Sequence, residues 1–368
     1  MAGDPRDAVI TGIGLVSPLA DGIEAHTRIL SGAERPKPQL DTETYAPYPV
    51  HPLVEVDLST QIPRRGDQRQ MENWQRYGTY AAGLALTDAG LAGETEFLER
   101  MNLIVAAGGG ERDATVDGDI VEGWRQAADP GAFVNDRLMS DLRPTLFLAQ
   151  LSNLLAGNIS IVHHVTGSSR TFMGEELGGA MAIETAWRQI RAGQNDLFLV
   201  GGAYNAARYD MMVFLAMSGG LWTGDDVPDV WHRTGQDGGM VPGSMGAFLV
   251  IESREHAEAR GARIYARIDD IVTDRGARDS SERYEARIAR QVERLNTAAG
   301  SAPLGLLSGT SGVPDALRLE RQMIDTMSAA RPTYVRGIGS LMGHGMEAQM
   351  PAGVALAAAA LAAGTFYP

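Results

Sequence analysis

The sequence predicts an α/β protein whose sheets are mainly parallel and covered by helices on both faces. Two observations lead there: apolar runs of strand length alternate with stretches of helical periodicity, and glycine-rich turns follow the strands. A third is size, since 368 residues with 44% hydrophobic content supply a large core without disulfides or metal clips.

Taken in order, the apolar run Ala8–Ile13 reads as the first strand and the amphipathic stretch Gln75–Leu91 as the first long helix. Leu103–Ala107 follows as a strand ending in Gly108–Gly110, and Ile159–His163 as another apolar strand. The helix Gly178–Arg191 leads to the strand Leu197–Val200, then to the strands Phe248–Glu252 and Ile264–Ile271. Asp274–Ala302, with Arg and Glu interleaved, reads as an exposed helix joining two halves. Leu304–Leu307 is a strand, and the helices Pro314–Ala330 and Met346–Ala363 close the chain. Leu304–Gly312 shares its form with Ile104–Gly110, a strand running into glycines, which hints at internal duplication. Gly108–Gly110 lacks the spacing of a phosphate loop, so it reads as a tight strand exit.

Composition narrows the function. The chain has no cysteine, which removes disulfides, thiolate nucleophiles and cysteine metal sites together, and its seven histidines lack metal-ligand spacing. No metal and no cofactor are expected. A net charge of −14 disfavours nucleic acid as a partner. The polar N-terminus does not read as a signal peptide, and the apolar run Pro351–Ala363 is too short to span a bilayer, so a cytoplasmic protein without a membrane partner is expected. One local basic patch, Arg64, Arg65, Arg69 and Arg76, stands out within Ile62–Tyr77; taken alone, it reads as a solvated helix start.

The most informative segment is Thr166–Ile183, where a strand passes through glycines into a helix. Such an elbow exposes a side chain at a helix N-terminus, whose free N–H groups and dipole favour an anion. Glu176 takes that place. Adjacent Glu175 points elsewhere on a helix, so the two carboxylates do not form a glycosidase-like pair. With the opening Ala8–Pro18, the Glu-His-Ala and Arg-Gly-Ala block within Gly246–Ile268, and Arg191–Gly202, this elbow resembles the β-ketoacyl-acyl-carrier-protein synthases over nearly the whole chain. The resemblance implies a thiolase-like fold, two similar α/β halves in five layers, here residues 1–253 and 254–368, paired as a dimer. The family's closing strands have no counterpart before Pro368.

The departures from that family carry the functional reading. The resemblance puts the family's catalytic cysteine at Glu176, its first histidine at Ser308 in Ser308–Gly312, its second at Ser340 in Gly339–Gly343, and its lysine near Val335 and Arg336. A carboxylate is a weak nucleophile toward a thioester, and a serine cannot supply the strong donor that a developing enolate needs. Glu176 is therefore expected to be structural. His344, one turn beyond Ser340, is a substitute base in principle but reads as a cap or surface residue.

Gly174–Gly179 resembles the chain-length-factor branch, whose members pair with an active synthase and shape its acyl tunnel. Ala46–Pro52, Arg64–Met71 and Arg143–Asn153 resemble the cysteine-free ketosynthase-like protein of the alphaproteobacterial cluster that makes the very long acyl chain of lipid A. Arg65 and Arg69 match family positions that dock acidic acyl carrier protein, while two family lysines are replaced by Gly66 and Gln70. The leading expectation is a non-condensing subunit paired with a cysteine-containing β-ketoacyl synthase, or with itself. The competing readings are an atypical synthase, acyltransferase or malonyl-carrier decarboxylase using Glu176, Ser308 or His344, and a stand-alone acyl-binding scaffold.

Overall fold

A computed structural model describes residues 3–32, 36–224, 226–234, 238–276 and 280–368. Among the described residues, eight strands, β1 (Ala8–Val16), β2 (Asn102–Ala106), β3 (Ser169–Phe172), β4 (Leu197–Tyr204), β5 (Met245–Ser253), β6 (Ala266–Ile268), β7 (Leu304–Ser308) and β8 (Thr333–Gly337), form two sheets. The larger has the order β3-β2-β4-β5-β1-β6, and the smaller is the pair β7-β8.

The core explains why these runs are strands. Along β5, Ala247, Leu249 and Ile251 face one apolar cluster while Phe248 and Val250 face the other, the period-2 alternation of a strand buried on both sides. Helices Glu175–Arg191 and Gln349–Ala363 cover the first face, and helix Asn73–Asp88 covers the second. That last helix lies directly on β1: a Cβ at Gly12 would stand 2.5 Å from the carbonyl of Ala85, so only glycine permits the approach. β7 and β8 run parallel and are joined through helix Pro314–Ala330, a right-sized crossover, against which helix Ser281–Ala299 packs. The layers therefore follow the expected order of helix, sheet, helices, sheet, helices.

Three expectations are corrected. The large sheet is mixed and not mainly parallel: β2 is parallel to β3 and β4, but β5 is antiparallel to β4 and β1, and β6 to β1. Strand direction is set by the long connection between Tyr204 and Met245, which no local pattern encodes. Ile159–His163 is the end of helix Leu154–His163, with Leu155 and Ile159 packed in the core and His163 Nε2 2.8 Å from the carbonyl of Thr79. The strand that enters the elbow is β3, an edge strand whose polar, exposed sequence hides it. Finally, the last helical run reaches back through a 3-10 turn to Met346, so it is long enough to cross a membrane by length; its burial against β1 and β5 makes it a core helix. Within Asp274–Ala302, residues 277–279 lie outside the described residues, and the helix spans Ser281–Ala299.

Candidate functional site

The elbow follows β3. Gly174 has φ 131° and Glu175 φ 54°, a left-handed conformation that a residue with a side chain seldom adopts and that strains the turn. Helix Glu175–Arg191 starts there and aims its N-terminus at the site. The two neighbouring glutamates diverge, as expected. Glu176 borders a cleft of about 670 Å3 that it shares with Leu177, Thr273, Arg287 and Gln349, whereas Glu175 borders a small cavity with Tyr204, Arg208 and Glu347.

Glu176 Oε1 lies 2.5 Å from His344 Nε2. His344 is not a surface residue: it is 3% exposed, and its backbone is fixed by bonds to Val241 and Gly243. Its Nδ1 is buried without a hydrogen-bond partner. This geometry assigns the proton to Nε2, which donates to the carboxylate, and leaves Nδ1 unprotonated when the ring is neutral. A buried imidazole held against a half-exposed carboxylate can hold or pass a proton. It offers no thiol to carry an acyl group.

Ser308 and Ser340 are engaged elsewhere. Ser308 is buried, donates its hydroxyl to the Glu320 carboxylate and accepts the Thr310 N–H at 3.2 Å. Burial raises the Glu320 pKa, while its bonds to Ser308 and Thr310 and the nearby His344 work the other way. Ser340 Oγ accepts the Val230 N–H at 3.1 Å and faces a separate cleft of about 380 Å3. Of the candidate residues, then, the one beside Glu176 is His344, to which the resemblance assigned no family role. Arg336, near the expected lysine position, donates at 2.7 Å to the carbonyl of Pro368.

Sequence reasoning missed Glu347, three residues beyond His344. It is 5% exposed, and burial first, then the Glu175 and Glu176 carboxylates, push its pKa up to about 7. The available signal was a lone acid in the glycine-, methionine- and alanine-rich run Gly343–Ala352. Nearby Arg208 pairs with Asp210 and donates to the carbonyls of Gly109 and Gly110; burial alone would lower its pKa, but Asp210 raises it.

The basic patch is two helices and not one. Arg65–Gln70 is a short helix, and Asn73–Asp88 begins after a capping box formed by Glu72 and Gln75. Arg64, Arg65 and Arg69 are exposed, with Arg64 paired to Asp67 at 3.0 Å, whereas Arg76 is tied to Gln68 and Asn73. Among the described residues, no group of three or more His, Cys, Asp or Glu could hold a metal ion.

The 3-oxoacyl-[acyl-carrier-protein] synthase 2 of Rhizobium meliloti is 27% identical over 92% of this chain and 83% of its own length. The protein of the same name from Vibrio cholerae is 24% identical over 85% of this chain and 77% of its own length. Among solved structures, the ishigamide ketosynthase/chain length factor superposes with a TM-score of 0.76 at 23% identity, over 99% of this chain and 88% of that one. A β-ketoacyl synthase from Burkholderia phymatum superposes with a TM-score of 0.76 at 20% identity, over 96% and 86%. The N-terminal domain of β-ketoacyl synthases matches residues 6–257. With that match over most of its length, and with the thiolase-like layers around the elbow, the chain belongs to the β-ketoacyl synthase family.

Proposed function

We propose that this chain is a non-condensing, ketosynthase-like subunit that pairs with a cysteine-containing β-ketoacyl synthase in acyl-carrier-protein-dependent elongation of fatty acid or polyketide chains. One observation carries the reading: the elbow presents the carboxylate of Glu176, bound to His344, in a chain without cysteine. Condensation by this fold needs a nucleophile that forms a stable acyl intermediate, and a carboxylate gives a reactive anhydride instead. The names of the curated relatives support acyl carrier protein as the substrate carrier, and Arg65 and Arg69 are exposed for docking it. The specific expectation is the cysteine-free partner of a very-long-chain pathway, acting in the cytoplasm, built of halves 1–253 and 254–368.

An exposed apolar stripe supports the pairing. Tyr209, Val213 and Met217 form an exposed stripe at four-residue spacing on helix Tyr209–Met217, joined by Phe214, and such apolar area marks an interface. The test is single-turnover assay of the isolated chain with acyl- and malonyl-carrier-protein substrates. No product is expected from the chain alone. Product abolished by Glu176→Ala would instead favour the second reading, an atypical enzyme or decarboxylase, which the 2.5 Å contact between Glu176 and His344 makes worth testing.

A further inference from the structure

Two spaces meet at the elbow, and they differ greatly in size. The cleft beside Glu176 measures about 670 Å3, within the range of sites that hold organic ligands. The cavity on the Glu175 side measures about 40 Å3, room for roughly one water.

Glu347 lines the second space. A Cβ placed on Gly108 would lie 2.6 Å from Glu347 Oε1, so the carboxyl sits directly against that backbone. Tyr204, 5% exposed, borders the same cavity with its hydroxyl buried and without a hydrogen-bond partner. Among the described residues, no arginine forms an ion pair with Glu347. Its own backbone N–H and Arg208 favour the charged form but do not offset burial, so the carboxyl is costly where an apolar side chain of equal size would serve the fold better. Its presence therefore points to a role in the site.

We propose that Glu347 is a plug that denies this subunit a chain-holding chamber behind Glu175, so that an acyl tail cannot lie between Gly108, Tyr204 and Arg208. The proposal rests on the reading of the chain as a partner in acyl elongation, and it makes Glu347 the residue that decides which subunit holds the tail. The carboxyl acts by occupying volume and by presenting a polar wall to any methylene that enters.

The test is photo-crosslinking of the full chain with a butanoyl-pantetheine thioester carrying a diazirine at its tail, followed by peptide mapping. Wild type and Glu347→Met, which keeps the volume without the charge, are expected to give only background labelling of the Gly108–Glu111 and Tyr204–Met211 peptides. Glu347→Ala and Glu347→Ser, checked for native melting, are expected to label them roughly tenfold or more above wild type. Labelling of those peptides in wild type, or none in either folded opening variant, overturns the proposal. The readout needs no partner and no turnover. An isolated chain that condenses would sink the functional reading and leave this pattern unchanged.

Discussion

Glu176 and His344 meet at 2.5 Å, and the contact sets two roles against each other. If the carboxylate is structural, Glu176→Gln keeps the shape and most of the acceptor capacity, and the variant should fold and still support a partner's elongation in a reconstituted assay. Glu176→Ala should lower stability on the order of 1 kcal/mol in a denaturant melt, because the side chain is half exposed. Glu347 gives a sharper residue-scale prediction. Its folded pKa is about 7 against an ordinary 4.5, so the folded state holds the extra proton between those values and stability falls as pH rises through that window. Glu347→Gln removes the penalty. The variant should gain on wild type as pH rises from about 5 to about 8, by at most roughly 3 kcal/mol, in paired urea melts. A constant difference across that range would contradict the assignment. Glu176 was legible because glycines and a helix start frame it. Glu347 was not, since its perturbation arises only when Gly108 and the elbow close over it.

At the scale of elements, the Glu-His-Ala and Arg-Gly-Ala block that carries the family resemblance has a physical cause. Glu252, next to last on β5, is fully buried, and Arg260 grips it with Nε at 2.9 Å while His256 Nδ1 lies at 2.5 Å and Thr11 donates its hydroxyl. Burial pushes the Glu252 pKa up, and these partners more than offset it, leaving about 2. Arg260 also donates to the carbonyl of Ala89, so one residue ties β5 to the end of helix Asn73–Asp88. Arg260→Ala strands a buried carboxylate and should cost roughly 3–5 kcal/mol in a urea melt. Less than about 1 kcal/mol would mean that water replaces the guanidinium. The short helix Arg65–Gln70 gives a second prediction: charge reversal at Arg65 and Arg69 should slow association with acyl carrier protein at low salt, with the difference fading as salt rises. An unchanged stopped-flow rate returns the patch to an ordinary solvated helix. The five longest of the described helices were legible from periodicity, whereas Ala114–Trp124, Pro130–Asp141 and Tyr209–Met217 were not anticipated. The direction of β5 and the identity of β3 were not legible either, because one depends on a long connection and the other is a polar edge.

For the whole molecule, the net charge is −14, the core is buried on both sides of a mixed sheet, and helix Tyr209–Met217 carries an exposed apolar stripe. The layered fold was legible from the family signature because that signature records the buried network that joins sheet and helix. The proposed partner rests on resemblance at the level of sequence, since nothing in Tyr209–Met217 marks its stripe as exposed. Glutamate at both Val213 and Met217 should weaken pairing without changing the melt of the isolated chain, as an interface stripe requires. The most direct test of the account is native mass spectrometry of the chain co-expressed with a cysteine-containing β-ketoacyl synthase from its own genome. A one-to-one complex that elongates carrier-bound acyl chains through the partner's cysteine is expected. A chain that remains apart from the synthase and condenses the same substrates by itself would contradict it.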